Sequence, residues 1–240
     1  MATANIPAEL AAPLAKASTA LQAAAGDTLV SLTVYGSAVR GVHQPGVSDV
    51  NVLIVLRAAP RATLAAVGTT LTETDGKCVI TPYLVLEHEL PLLADAFPTR
   101  VFDMKRGYVV LHGSDALASL KVDTTLLAVR AGQELLNILM RFRHMLLRRN
   151  DNDGIAAALQ QAMPAALKTM RTLVYLKTGR HLDDRAALVV EAEKALGLPA
   201  ASWRQLVRWR RGELDFAGVE WEAAADAFLQ GLTVLAEGAS

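Results

Sequence analysis

The chain has 240 residues, 52% of them hydrophobic and 20% charged, which is enough apolar material to bury a core and too much for a disordered segment. Twenty-four basic side chains balance twenty-four acidic ones, so the basic surplus with which a dedicated nucleic-acid binder displaces phosphate counterions is missing. A single cysteine, Cys78, rules out an intramolecular disulfide and a cysteine-rich zinc site. No apolar run is long enough to span a bilayer, and residues 1–16 carry no basic segment ahead of their alanines; no signal peptide and a cytoplasmic location are expected.

Taken in chain order, residues 6–25 are alanine-rich with Leu10, Leu14 and Leu21 near helical spacing, and Gly26 ends that helix. Residues 28–35 alternate and are β-branched, which predicts a strand. A connection over 36–48, punctuated by Gly and Pro, has room for one helical turn. Residues 50–56 are almost wholly apolar and read as a second, buried strand. Pro60 opens a helix to residue 71. A third strand is predicted over 78–86, with Pro82 marking a bulge or a sheet edge. A short helix follows over 87–96, and two short strands over 99–104 and 108–111, turning at Lys105–Arg106–Gly107.

After about residue 113 the period changes and no strand is predicted. A long helix over 124–149 is capped by Asp123 and carries one apolar stripe through Leu127, Leu135, Ile138, Leu139, Phe142 and Leu146. The run 150–154 breaks it, and a second helix covers 155–178, with Pro164 as a place to bend. Asp183 is the expected cap of a third helix ended by Gly197, Ser202 that of a fourth running to about 211, and a fifth covers 221–236. Helices joined by short links form a bundle. The expected domains are 1–118, mixed α/β, and 119–240, all helical.

The chemistry-bearing segment is Tyr35–Gly36–Ser37–Ala38–Val39–Arg40–Gly41, followed by Ser48–Asp49–Val50–Asn51–Val52. Gly36 lets the backbone approach a ligand, and Ser37 offers a hydroxyl and an N–H to phosphate. A following helical turn adds its free N–H groups, and Arg40 is placed to pair with phosphate oxygens. Asp49, entering a strand, can hold a hard cation such as Mg²⁺. Residues 49 and 51 lie on one face of that strand, so both can reach one metal.

These residues resemble the signature of the DNA polymerase β-like nucleotidyltransferase superfamily: a hydrophobic residue, Gly, Gly or Ser, about nine to thirteen residues, then Asp, a hydrophobic residue, and Asp or Glu. Here Gly36–Ser37 is followed by eleven residues and then Asp49–Val50–Asn51. The wider phrase GSAVRG is similar to that of the antibiotic and small-substrate members. The resemblance implies an α/β (α+β) nucleotidyltransferase fold with a mixed sheet and an appended helical bundle. It implies transfer of a nucleoside monophosphate from a nucleoside triphosphate to a small or unidentified acceptor, with Mg²⁺. Gly36, Ser37 and Arg40 would then bind the nucleotide, and Asp49 and Asn51 would be the catalytic metal ligands.

The chain departs from that pattern twice. Position 51 is Asn where a carboxylate belongs, which removes one negative charge from a site that binds Mg²⁺ largely through carboxylates and phosphates. The third carboxylate of the superfamily belongs on a later strand, and residues 78–86 contain neither Asp nor Glu. Glu87 lies just past that strand, and Asp103 lies on the predicted 99–104 strand with Thr99, Val101 and Lys105 on its face; these two are the candidates. Holding both the attacking and leaving oxygens takes two metals and about three carboxylates. A weakened transferase and a catalytically silent nucleotide- or protein-binding module therefore both stand, with a third option of a structural protein that binds no nucleotide.

The remaining polar residues have simpler accounts. His43 and His88 are isolated. Arg141, Arg143, His144, Arg148 and Arg149 sit at the C-terminal end of the long helix, where cations complement the helix dipole. Trp203 and Trp209, six residues apart among Arg204, Arg208, Arg210 and Arg211, suit a partly buried helix better than a base-stacking platform.

Overall fold

The computed structural model describes residues 6–43, 49–73 and 78–239. Two compact units divide the chain, Met1–Val122 and Asp123–Ser240.

The first unit is built on a four-stranded mixed sheet of β1 (Leu29–Tyr35), β2 (Val50–Leu56), β3 (Ile80–Leu86) and β4 (Tyr108–Gly113), in the spatial order β3-β2-β1-β4. β1 is antiparallel to both β2 and β4, while β2 and β3 are parallel. A parallel pair needs a crossover, which α2 (Arg61–Glu73) supplies. Pro82, which has no N–H for a ladder, falls on the edge strand β3.

Both faces of the sheet are covered, which is why β1 and β2 read as nearly continuous apolar runs. Leu32, Val34, Val52, Ile54 and Leu56 pack on one side with Leu10, Leu14 and Leu21 of α1 (Ala8–Ala25) and Val67 of α2. On the other side Tyr35, Leu53, Val55 and Val85 pack with Leu93 of α3 (Leu90–Ala96), with Val101 and Met104 of α4 (Pro98–Lys105), and with Leu117 and Leu120.

The segment expected as a strand over 99–104 is the helix α4. Pro98 occupies its first turn, and Pro98, Val101 and Met104, three residues apart, are its buried stripe. Over six residues the pattern Thr99–Val101–Asp103 mimics alternation, and only packing against the sheet selects the helical period. Lys105, the last residue of α4, tethers the segment that follows β4: its Nζ donates to the carbonyls of Leu117 (2.9 Å) and Leu120 (2.5 Å).

Gly113 ends β4 with φ +77°, and a Cβ there would stand 1.9 Å from the Val30 carbonyl oxygen. The backbones of β1 and β4 approach so closely at this point that only glycine fits.

The second unit contains α5 (Thr124–Arg148), α6 (Asn152–Thr178), α7 (Arg185–Leu196), α8 (Ala200–Arg210) and α9 (Trp221–Glu237). Leu127, Leu135, Leu139 and Phe142 of the expected α5 stripe are fully or nearly fully buried, and Ile138 and Leu146 are partly so. The Phe142 and Phe228 rings meet edge to face at 4.8 Å, and Trp203 stacks on Phe228 at 4.8 Å while its indole N–H donates to the Ala227 carbonyl.

Three helix starts differ from expectation, two of them through a side-chain cap. Asp123 caps α5 as anticipated, accepting from the amides of Thr125 and Leu126. α6, however, begins at Asn152, three residues early, because Asp151 accepts from Gly154 N. α7 is capped by Asp184, not Asp183, through Ala187 N at 2.8 Å. α8 starts after Pro199, so Ser202 lies inside it. The arginines of α8 are engaged structurally: Arg204 with Glu193, Arg208 with Glu213, and Arg210 with the Gln160 carbonyl.

No helix among the described residues is long and apolar enough to cross a membrane.

Candidate active site

The antiparallel pairing of β1 and β2 brings the two halves of the motif to one end of the sheet. Tyr35, the last residue of β1, pairs with Asn51. Gly36 and Ser37 follow in a single 3₁₀ turn over Gly36–Val39, and Asp49 immediately precedes β2. Ser48 and the rest of 44–48 lie outside the described residues. Gly36 has φ +86°, which L side chains rarely adopt, and the Asn51 side chain lies over it, 3.4 Å from where a Cβ would be. Gly36 is thus fixed by its backbone conformation. Ser37 is partly exposed and Asp49 exposed, so both face the surface at this edge.

The parallel register of β2 and β3 adds residues that sequence patterning did not single out. Thr81 pairs with Asn51, and its hydroxyl donates to Asp49 Oδ2. Tyr83, two residues on, shares the face of Thr81. The Arg100 guanidinium of α4 lies 4.2 Å from the Tyr83 ring centroid, a cation–π contact. The side chain beside Asn51 on the neighbouring parallel strand is therefore a threonine hydroxyl and not a carboxylate. Only pairing reveals this, since nothing in the 78–86 sequence marks which residue falls opposite position 51.

The two expected third carboxylates are placed elsewhere. Glu87 follows β3 at the end paired with Leu56, on the order of 20 Å along the strand from Thr81 at about 3.3 Å per residue, where it lies 3.9 Å from Arg57. Asp103 is on α4, not on a strand. Its Oδ1 lies 3.5 Å from both Arg40 Nη1 and Arg106 Nη1, with the three side chains largely buried. A carboxylate between two guanidiniums has its charge already neutralised. Arg40, expected at phosphate, is the partner that holds it: its Nη1 also donates to the Asp103 carbonyl at 3.4 Å, and its stem packs where a Cβ on Gly107 would stand.

Among the described residues no three His, Cys, Asp or Glu side chains converge on a metal position. Among the described residues, the metal donors that the motif brings to this edge are one carboxylate, Asp49, and the Asn51 amide. They suit a single Mg²⁺ that arrives on a triphosphate, since Mg²⁺ is commonly held by one or two carboxylates plus substrate phosphates. They do not suit a two-metal centre.

Tyr35 reports on the field at this end of the sheet. Burial pushes its phenol up to about 12; Arg100 opposes the rise, and Asp103, Tyr83 and Asp49 add to it. An unfolded tyrosine ionises near pH 10. The neutral phenol therefore contributes stability that is fully present below about pH 10 and is lost as pH rises through about 12, on the order of 2–3 kcal/mol in all. In an ultraviolet difference titration, Tyr35→Phe should delete one late-titrating tyrosine and flatten the alkaline fall in stability between those limits. An unchanged late phase would contradict the buried, acid-flanked position of Tyr35.

A separate cleft of about 560 Å³ in the helical unit is lined by Arg143, Asn150, Glu222 and Asp226 among others, and none of the motif residues lines it.

A mixed sheet with Gly-Ser at the end of one strand and Asp at the start of its antiparallel neighbour, followed by a helical unit, is the nucleotidyltransferase fold. The structural likeness that shows this is to spectinomycin adenyltransferase AAD(9) from Enterococcus faecialis, solved with ATP and spectinomycin: TM-score 0.59 and 10% identity, over 92% of this chain and 98% of that one. A nucleotidyltransferase-like protein from Exiguobacterium sibiricum 255-15 also aligns, with TM-score 0.32 and 16% identity over 93% of this chain and 74% of the other. No family model matches the chain, and no curated protein matches it in sequence.

Proposed function

We propose that this protein binds a nucleoside triphosphate at the sheet end formed by Gly36, Ser37, Asp49 and Asn51, and that it is a nucleotidyltransferase of low turnover toward a small hydroxyl-bearing acceptor. The observation that supports this reading is the meeting of Ser37 and Asp49 at one edge through the Tyr35–Asn51 pairing. The Ser37 hydroxyl and amide would hold phosphate oxygens. Asp49 and the Asn51 carbonyl would hold one Mg²⁺ carried by the triphosphate, whose contribution when bound is to neutralise phosphate charge. Asp49 is kept in place by the Thr81 hydroxyl.

The low turnover follows from the donor set. An acceptor hydroxyl must lose its proton as it attacks the α-phosphorus, and pyrophosphate must leave. With Thr81 beside Asn51 and Asp103 between two arginines, no carboxylate among the described residues other than Asp49 is placed to take that proton. The same observation favours, as second reading, a nucleotide-binding module on this fold that no longer catalyses.

Calorimetric titration with ATP, with and without Mg²⁺, tests binding, and pyrophosphate release over a panel of hydroxyl acceptors tests transfer. Asp49→Asn should weaken Mg²⁺-dependent ATP binding by about tenfold while leaving stability within about 0.5 kcal/mol, since Asp49 is exposed. Equal affinity in a folded variant would remove Asp49 from the metal role. Binding without pyrophosphate release would select the module.

A further inference from the structure

We propose that Arg100 is the phosphate-holding cation of this site and that it takes over charge neutralisation that the depleted carboxylate set cannot direct through metal. The inference rests on the reading that phosphates bind at this sheet end, and it adds a residue that the motif does not contain.

Three observations carry it. First, two other arginines of this unit, Arg40 of the motif and Arg106 after α4, are committed to Asp103: both lie 3.5 Å from its Oδ1, with side chains 12% and 3% exposed. No carboxylate among the described residues pairs with Arg100. Second, Arg100 is positioned by a stack and not by an acid. Its guanidinium sits 4.2 Å from the Tyr83 ring centroid, an arrangement that pre-orients the planar fork and leaves its N–H edge for bidentate contact with phosphate. Third, the platform belongs to the site. Tyr83 is on the same face of β3 as Thr81, Thr81 bonds Asp49 and pairs with Asn51, and Asn51 pairs with Tyr35 next to Gly36. Arg100 is, after burial, the strongest influence on the Tyr35 phenol, ahead of Asp103, Tyr83 and Asp49.

The chemistry of position 51 fits this arrangement. A guanidinium near the strand ends disfavours accumulation of divalent cations and favours phosphate oxygens. Asn51 removes a negative charge that would compete with the phosphates for that guanidinium. Loss of a metal carboxylate and retention of an arginine without an acidic partner act in the same direction, toward anion binding with a reduced need for metal.

The test uses the full chain, with inorganic tripolyphosphate and ATP titrated separately in a chelator and in Mg²⁺. Wild-type protein is expected to bind both probes in the chelator. Arg100→Gln should weaken both by about tenfold or more, Arg100→Lys should fall between because it keeps the charge without the planar fork, and Arg141→Gln on α5 should change nothing. Wild-type affinity in Arg100→Gln overturns the proposal and leaves the nucleotide reading standing. Binding by the wild type only when Mg²⁺ is present also overturns it. Tripolyphosphate binding that needs Arg100, with no added affinity for ATP, keeps the proposal and sinks the nucleotide reading. Failure of the wild type to bind either probe sinks both. If Arg100→Gln does not fold, Tyr83→Leu removes the platform and keeps the guanidinium. It should weaken tripolyphosphate severalfold, and an unaltered affinity there is decisive against the proposal.

Discussion

Gly113→Ala is expected to destabilise the α/β unit by about 3 kcal/mol or more. Two costs add. The left-handed backbone at φ +77° penalises an L residue by roughly 1–2 kcal/mol. The added Cβ would also meet the Val30 carbonyl at 1.9 Å, far inside contact, so β1 and β4 must separate where Ser31 pairs with Gly113. Overpacking of this kind commonly adds about 1–3 kcal/mol, and backbone is less able to yield than a side chain. Gly179→Ala provides the comparison. It has φ +69° at the C-terminal cap of α6 with nothing within 4 Å of a Cβ, so it should lose only the conformational part. Urea unfolding of both variants reads the difference. A Gly113→Ala cost no greater than that of Gly179→Ala would mean that the close approach of the two strands is wrong.

Asn51→Asp should raise Mg²⁺ affinity of the triphosphate complex by about tenfold or more, because two carboxylates on one strand face then share one cation, and each tenfold is about 1.4 kcal/mol. Without metal the same change places like charges at positions 49 and 51 and should lower stability modestly. Mg²⁺-dependent protection in thermal unfolding reads both effects. Turnover should not follow from this substitution alone. The double variant Asn51→Asp/Thr81→Asp places a third carboxylate in register with position 51 on β3, and pyrophosphate release should appear or rise chiefly there, since two metals on the attacking and leaving oxygens need about three carboxylates. Robust release by the unmodified protein would refute the low-turnover reading. Release by Asn51→Asp alone would show that another group already serves in the third position.

Much of the architecture is legible from local pattern. The strands β1 and β2 are β-branched, apolar and bounded by glycine and a polar loop, and they match expectation to within a residue. Pro82 announces an edge strand because it lacks a donor, and β3 is one. Gly197 ends its helix in the left-handed conformation, as a glycine after the last apolar turn should.

The failures have one cause. The 99–104 segment is too short for its own periodicity to separate a strand from a helix, so burial of Val101 and Met104 against the sheet decides it. Asp183 and Asp184 are equal as caps in sequence, and helix phase against the bundle selects the second. Asp103 is a candidate carboxylate by its place in the sequence, and Arg40, sixty-three residues away in the chain, holds it.

The two strands, the Gly-Ser turn between them and the spacing that puts Asp49 at the start of the second are written in local pattern, because strand, turn and spacing are properties of contiguous residues. What surrounds Asp49 depends on long-range packing. Thr81 reaches it through a parallel register, Tyr83 two residues on carries Arg100 over its ring, and Asp103 is withdrawn into an arginine pair. Each of these is a contact between residues distant in sequence, and the chain's local propensities carry no information about which distant partner will arrive.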